Sequence, residues 1–519
     1  MRPGRWSNAR WMRWRHRVRP GGRGVVAEGL LWAGLALLLV LAYRAAAAAL
    51  YRPGFPLDDA WIHQTYARHV AAGVGWVYRV PDLGRGAVTA PLWVLLLAVG
   101  HVLGLEPGLW VTFLGWLTLT GLAVVAARWP GLEGPWRWVA GLAVLGQWHL
   151  VWAAVSGMET VAFALAVLVA LWALAQPRPR WDLAGAAVGV ALWLRPEGAL
   201  VLALFPLGLM RIANSTSNHQ LPTFLRGIGW SLLAAALYLG LHRWWTGAWW
   251  PTTGPAKIHE YAALRAAPLL LRWLRVWQPV LVGPGLLAVV GILLWATRQF
   301  VGRWFPLMRI ANPTSTLHLP PSSLHPLPWL LLHSLLYAWR LPVTYQHGRY
   351  LMPILPALAI AGVGAWQALG RDWHRRAWLA LAGVAAGLTL GFWALGARAY
   401  AWDVAFIESE MVDTAHWVAR NLPPDAVIAA HDIGALGYFA PQPLVDLAGL
   451  LDPAVIPIVR NEKALARYMQ RQGVAYLVTF PGWYAELDRC SRPLFTTRAP
   501  YAPALGGENM VVYVWQPCP

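Results

Sequence analysis

Two adjacent carboxylates, Asp58 and Asp59, open the stretch FPLDDAWIHQTYARHVAAGVGWVY (residues 55–78), directly after the first long apolar run. Like charges this close raise one of the two pKa values unless a cation offsets them, and carboxylates at a membrane exit are costly to desolvate. Such a pair suits a division of labour. One carboxylate acts as general base towards a hydroxyl, while the other holds a divalent cation or a second substrate group. The structural alternative is that both cap the helix that follows, where negative charge suits the N-terminal dipole, and composition alone favours it. Glu159, at the start of another apolar stretch, has the same two readings. Asp432, Asp446 and Asp452 fall at the ends of apparent strands, where carboxylates fix turns; acceptor-sugar binding is their functional alternative. Walker A, His-x-x-x-His and Gly-x-Ser-x-Gly patterns do not occur, which argues against ATPase, zinc-protease and serine-hydrolase chemistry.

The elements that hold these acids are set by an apolar composition. Of 519 residues 58% are hydrophobic, 13% are charged and 36 are Trp, which excludes a disordered chain and argues against an ordinary soluble enzyme. The formal charge of +19 alone is compatible with nucleic acid or an anionic surface, but it is unevenly placed. Residues 400–519 carry −4 and the first 399 residues +23, so the positive excess lies among runs long enough to span a bilayer core of about 30 Å. The chain reads as a polytopic α-helical membrane protein with a more polar α/β tail.

Arginine placement orients it. The first 24 residues hold eight Arg and no acid, a cytoplasmic arm ahead of a retained first span at about 25–50. The segment 90–105 is only about 16 residues long, and counting it as a crossing would place Arg128, Arg137, Arg178 and Arg180 outside. Treated as interfacial, it returns these and the later Arg-bearing loops to the inside. About eleven spans result: 25–50, 107–128, 135–155, 157–176, 182–195, 197–210, 227–245, 279–297, 327–341, 350–369 and 377–397. The two on either side of LRPEG (Leu194–Gly198) are short; they are broken or tilted pieces, or one long interrupted helix lining a polar cavity, and a single crossing over 182–210 would change the count and the later parity. Three regions follow: an Arg-rich arm (1–24), a transmembrane region (25–399) with first outer loop 51–106, and an extracytoplasmic α/β domain (400–519). In that last region ESEMVDTAHWVARN has helical spacing, and AVIAA, PLVDLAG, VAYLVTF and MVVYVW suit strands. The near-repeats starting at Leu209 and Leu307 read as polar cytoplasmic linkers. Cys490 and Cys518, both in the tail, either pair or stay free; pairing closes a loop of roughly 29 residues worth about 3–4 kcal/mol in the chain-entropy picture.

The stretch DDAWIHQTYARHVAAGVGWVY, followed by TAPLW, resembles the first outer loop of GT-C glycosyltransferases that use polyprenyl-phosphate sugars. Those proteins carry an Asp-Asp or Asp-Glu pair after the first span, an Ala-Arg helix, a Gly-x-Gly turn and a Pro-Leu-Trp juxtamembrane start. The resemblance continues in SGMET (Ser156–Thr160), LRPEG, GRYLMPILP (Gly348–Pro356) and HDIGALGYF...VDLAGLLDP (His431–Pro453). It is strongest to bacterial envelope mannosyl- or arabinofuranosyltransferase-like members and weaker to the protein O-mannosyltransferases. It implies an inverting glycosyltransferase in the cell membrane, taking a lipid-linked sugar to a glycan, lipid or protein acceptor at the outer face, with no nucleotide and no nucleic acid. The base would be Asp58 or Asp59, with Asp58 slightly preferred, and Glu159 would orient the acceptor. Asp59 and Glu159 would hold Mg²⁺ or Mn²⁺ where a metal assists. A lipid phosphate needs cations near the outer interface, and the candidates are Arg195, Lys257, His347 and Arg349. A transporter with acids and Arg along its path, and a non-catalytic scaffold, are the rival readings; the transporter would show two related halves, which the chain lacks.

Overall fold

The computed structural model describes residues 22–79, 88–206, 220–304, 326–370 and 373–518. The Arg-rich arm up to residue 21 and most of both near-repeats lie outside them. Long helices dominate, and their outward faces are apolar: Leu30, Leu38, Leu232, Leu237, Leu379 and Leu390 are all exposed. Backbone groups satisfied inside each helix and a leucine-rich exterior are what a hydrocarbon surround demands. Among the described residues, five helices are long and apolar enough to cross a membrane: Val26–Leu50, Pro107–Ala127, Leu221–Thr246, Tyr345–Leu369 and the one starting at Arg375. Shorter apolar helices at Pro91–Val102, Thr160–Ala175, Trp181–Leu194 and Gly285–Val301 pack among them.

Several expected spans are therefore composites. The 135–155 stretch divides into Pro135–Leu145 and Trp148–Ala154, with Gln147 extended between them. The 279–297 stretch divides at Val282–Pro284, where Gly283 takes φ +137°, a backbone conformation that favours glycine, beside Trp148. At LRPEG the helix ends in extended Arg195 and resumes as the 3₁₀ helix Pro196–Leu204, since proline cannot donate to the preceding turn. Pro91–Val102 has 12 residues, about 18 Å of helix, too short for a 30 Å core.

The expected boundary between spans and tail at 399/400 is not a break. The helix Arg375–Ile407 runs through it and passes by way of a π-helical turn, Glu408–Val412, into Asp413–Asn421. No Gly or Pro interrupts residues 397–421, so nothing stops the helix. The π turn buries Glu410, whose carboxylate accepts from Thr497 Oγ1, Asn509 Nδ2 and the Met510 amide at 2.5, 2.9 and 2.8 Å.

Beyond it lies a five-stranded sheet: β1 (Ile428–Ala430), β2 (Leu444–Asp446), β3 (Tyr476–Thr479), β4 (Arg492–Thr496) and β5 (Val511–Val514). The order is β2-β1-β3-β5-β4, with β2, β1 and β3 parallel and β5 antiparallel to both β3 and β4. The four apolar runs form β1, β2, β3 and β5. β4 escapes a search for apolar runs because it is an exposed edge with Pro493 and a bulge, as edge strands often are. A disulfide joins Cys490, just before β4, to Cys518. Gly434 and Gly437, in the helix Gly434–Phe439 after β1, let the first-loop helix Asp59–Ala71 approach closely. A Cβ on Gly434 would lie 2.0 Å from the Asp58 carbonyl oxygen, and one on Gly437 1.8 Å from the Tyr78 hydroxyl.

Candidate active site

The first-loop helix begins at the acid pair, and consecutive residues at a helix start point about 100° apart. Asp58 and Asp59 consequently meet different neighbours. Asp58 is buried, and its two carboxylate oxygens accept from the Gly434 and Ala435 amides at 2.6 and 2.8 Å. It makes no side-chain cap to its own helix; the capping role expected from composition is transferred to a helix 376 residues away in sequence. Asp59 Oδ2 accepts instead from Arg349 Nη2 at 2.5 Å and Lys257 Nζ at 3.2 Å. Both cations also reach the Tyr350 hydroxyl, at 3.1 and 3.2 Å. Arg349 is only 4% exposed, yet its Nη1 has no hydrogen-bond partner.

A cavity of about 550 Å³ is lined by Asp58, Asp59, Lys257, Arg349, Tyr345 and Gln346, together with Glu260, His431, Asp432, Trp483 and Tyr484. Neighbours separate the two first-loop acids electrostatically. Burial pushes the Asp58 carboxyl up to about 7, Asp432 adds to the rise, and the two backbone amides only partly oppose it. Burial would also raise Asp59, but Lys257 and Arg349 outweigh it and hold Asp59 far below the usual carboxylate range. Burial alone would depress His431; the carboxylates of Glu260 and Asp432 lift it instead to about 9.

The other predicted residues lie elsewhere. His347 Nε2 faces Asp403 Oδ2 at 2.7 Å, with its ring edge-on to Trp148 and Trp152. Gln346 and His347 both take positive φ, 53° and 58°, and this strained turn sends His347 away from the cavity while Arg349 faces it. Glu159 and Arg195 meet in a second buried cluster, where Arg195 Nη1 donates to Glu159 Oε1 at 3.1 Å and Nη2 to the Tyr337 hydroxyl at 2.8 Å. Arg195 Nη2 is also 3.6 Å from Glu197 Oε1, and Tyr337 donates to Glu197. The Tyr350 ring separates the clusters, stacked on Tyr337 at 5.2 Å with the Arg195 guanidinium 5.4 Å from its centroid. His63, one turn along from Asp59, lies 3.8 Å from Glu159 Oε2.

The donor set does not fit the divalent cation expected on Asp59 and Glu159. Each of these carboxylates already faces a guanidinium, and among the described residues no three His, Cys, Asp or Glu side chains are grouped to hold a metal. Of the three strand-end acids, Asp446 accepts from the Ala448 and Leu451 amides and Asp452 from the Ala454 amide, so both serve turns. Asp432 alone among them lines the cavity. Sequence reasoning passed over Glu260, His431, Tyr350, Trp483 and Tyr484; the HDIG run at the end of an apparent strand is the one signal that marked this wall.

Residues 403–513 match a domain of unknown function, DUF8728. No curated protein matches the chain in sequence. In three dimensions it is similar to ArnT from Cupriavidus metallidurans bound to undecaprenyl phosphate, at 17% identity and a TM-score of 0.51, covering 95% of this chain and 98% of that one. The apo form of the same protein aligns at 16% identity and a TM-score of 0.52, over 94% and 98% of the two chains. At such identities the likeness speaks for the fold alone.

Proposed function

We propose that this chain is an inverting glycosyltransferase that moves a sugar from a polyprenyl-phosphate donor to an acceptor hydroxyl at the outer face of the membrane. The observation that carries the reading is the split of the first-loop pair, with Asp59 locked to two cations and Asp58 buried with a pKa near neutrality. Two acids driven apart by their surroundings are the usual basis for dividing acid, base and electrostatic roles.

In this reading the donor phosphate is held by the unpartnered Nη1 of Arg349 and by Lys257, and Asp59 keeps both cations in place. Asp58 takes the acceptor proton as the acceptor oxygen bonds to the anomeric carbon. The bond from that carbon to phosphate breaks on the opposite face, and polyprenyl phosphate leaves with the electron pair. ArnT's likeness, with undecaprenyl phosphate bound in that protein, supports a lipid-phosphate donor. The Cys490–Cys518 disulfide supports an oxidising compartment for the sheet, and with the Arg-rich arm it favours an inner N-terminus and an outer cavity.

Reconstituted Asp58→Asn and Asp59→Asn variants, given radiolabelled polyprenyl-phosphate sugars and membrane acceptor extracts, test the reading. Each single variant is expected to lose transfer by about 100-fold or more. Full transfer in both singles and in the double variant would sink it.

A further inference from the structure

The part of the cavity wall that the sheet supplies has a construction of its own. His431, Asp432 and Ile433 follow β1, Ala448 and Leu450 follow β2, and Trp483 and Tyr484 follow β3. The carboxyl ends of all three parallel strands thus open onto one face of the cavity, the place where open α/β sheets bind ligands. We propose that these strand ends form a subsite for an uncharged, hydroxyl-bearing sugar ring of the acceptor, with Trp483 as its stacking face and Glu260 and Asp432 as its hydrogen-bonding groups. The inference rests on the glycosyl-transfer reading and adds the acceptor's chemical class to it.

Trp483 is 54% exposed beside the polar groups of this wall. Its turn is fixed: the Trp483 amide donates to the Phe480 carbonyl at 3.2 Å, and the amide of Gly482, at φ +77°, donates to Asp488 Oδ2 at 3.0 Å. Phe480 backs the indole at 5.0 Å, and the His431 ring stands perpendicular to it at 5.6 Å. His431 is held in turn by the Tyr484 hydroxyl at 2.7 Å and Glu260 at 3.4 Å. A rigid aromatic face beside fixed carboxylates suits a ring with C–H bonds on one side and neighbouring hydroxyls at its edge, since each carboxylate accepts from two donors. Lys257 and Arg349 are engaged by Asp59, and beside the strand ends Glu260 and Asp432 outnumber the one cation, His431, which Glu260 already engages, so a ring carrying its own carboxylate or phosphate is disfavoured there.

Saturation-transfer NMR on the full chain in lipid nanodiscs tests this without donor or turnover. The probes are methyl α-mannopyranoside, methyl α-arabinofuranoside and methyl β-glucuronide. Saturation of the ring protons of at least one neutral glycoside is expected, falling about three- to tenfold in Trp483→Ala and retained in Trp483→Phe, with none on the glucuronide. Should Trp483→Ala fail to fold, Asp432→Asn takes its place with the same expected fall. The proposal is overturned if neither neutral glycoside depends on these residues, as when Trp483 is only an interfacial anchor, or if the glucuronide binds equally well. Intact sugar binding with no transfer from any lipid-linked donor would count against the transferase reading and leave the subsite standing.

Discussion

Two buried ion clusters sit on either side of the Tyr350 ring and use the same residue types to opposite ends. Around Arg195 the guanidinium meets Glu159, Glu197 and Tyr337, and the atoms left without hydrogen bonds are carboxylate oxygens, Oε2 of Glu159 and of Glu197. Around Asp59 the leftover atom is a donor, Nη1 of Arg349, and Arg349 is one of the residues lining the cavity. A phosphate approaching the first cluster meets negative charge, while one approaching the second completes an unfinished guanidinium. On the proposed reading, what separates a cluster that holds the fold from one that takes a ligand is the sign of what it leaves unpaired. Arg195, expected at the donor phosphate, would by this criterion belong to the scaffold.

The comparison breaks most easily at Arg195. Arg195→Met leaves Glu159 and Glu197 buried without their cation, which costs about 3–5 kcal/mol, and thermal unfolding in detergent should show it as a large drop in Tm. Replacing the whole cluster with Glu159→Gln, Glu197→Gln and Arg195→Met together should recover most of that loss. If the single variant unfolds like the wild type, the scaffold assignment is wrong. Arg349→Ala addresses the second cluster and should act chiefly on chemistry, with transfer falling about 10²–10³-fold at an unfolding temperature that drops far less than in Arg195→Met. An Arg349 variant that unfolds as readily as the Arg195 variant would erase the distinction.

How much of this was legible beforehand follows from the range over which each contact acts. Residue type and motif mark Asp58, Asp59, Lys257 and Arg349 as candidates, and span length marks the break at LRPEG. Their assortment is not marked in this way, because it rests on contacts such as Lys257 to Asp59, 198 residues apart, and on a change of helix direction between two neighbouring acids. His347 and Arg349 are equally plausible phosphate ligands in sequence; the left-handed turn at Gln346 and His347 parts them, and nothing in TYQHGRY announces positive φ at two non-glycine residues. Trp483 and His431 come to the cavity only because three parallel strands end at the same level, a property of pairing order and not of any one strand.

The smallest expected effect probes how Asp58 is tuned. If Asp58 is the base, transfer at low acceptor concentration should rise with pH through about 7 as its carboxyl loses a proton, and fall away in acid. Asp432 raises that pKa without being placed at the reacting atoms, so Asp432→Asn should lower it and carry the acidic limb towards lower pH. At pH 8, where Asp58 is mostly ionised in either protein, the intrinsic rate should change little. The acceptor KM should rise in the same variant if Asp432 also hydrogen-bonds the sugar, which separates a tuning effect on kcat/KM from a binding one. A limb that stays in place in Asp432→Asn would move the base assignment away from Asp58 and towards Asp59, freed of its cations once the donor phosphate has taken them.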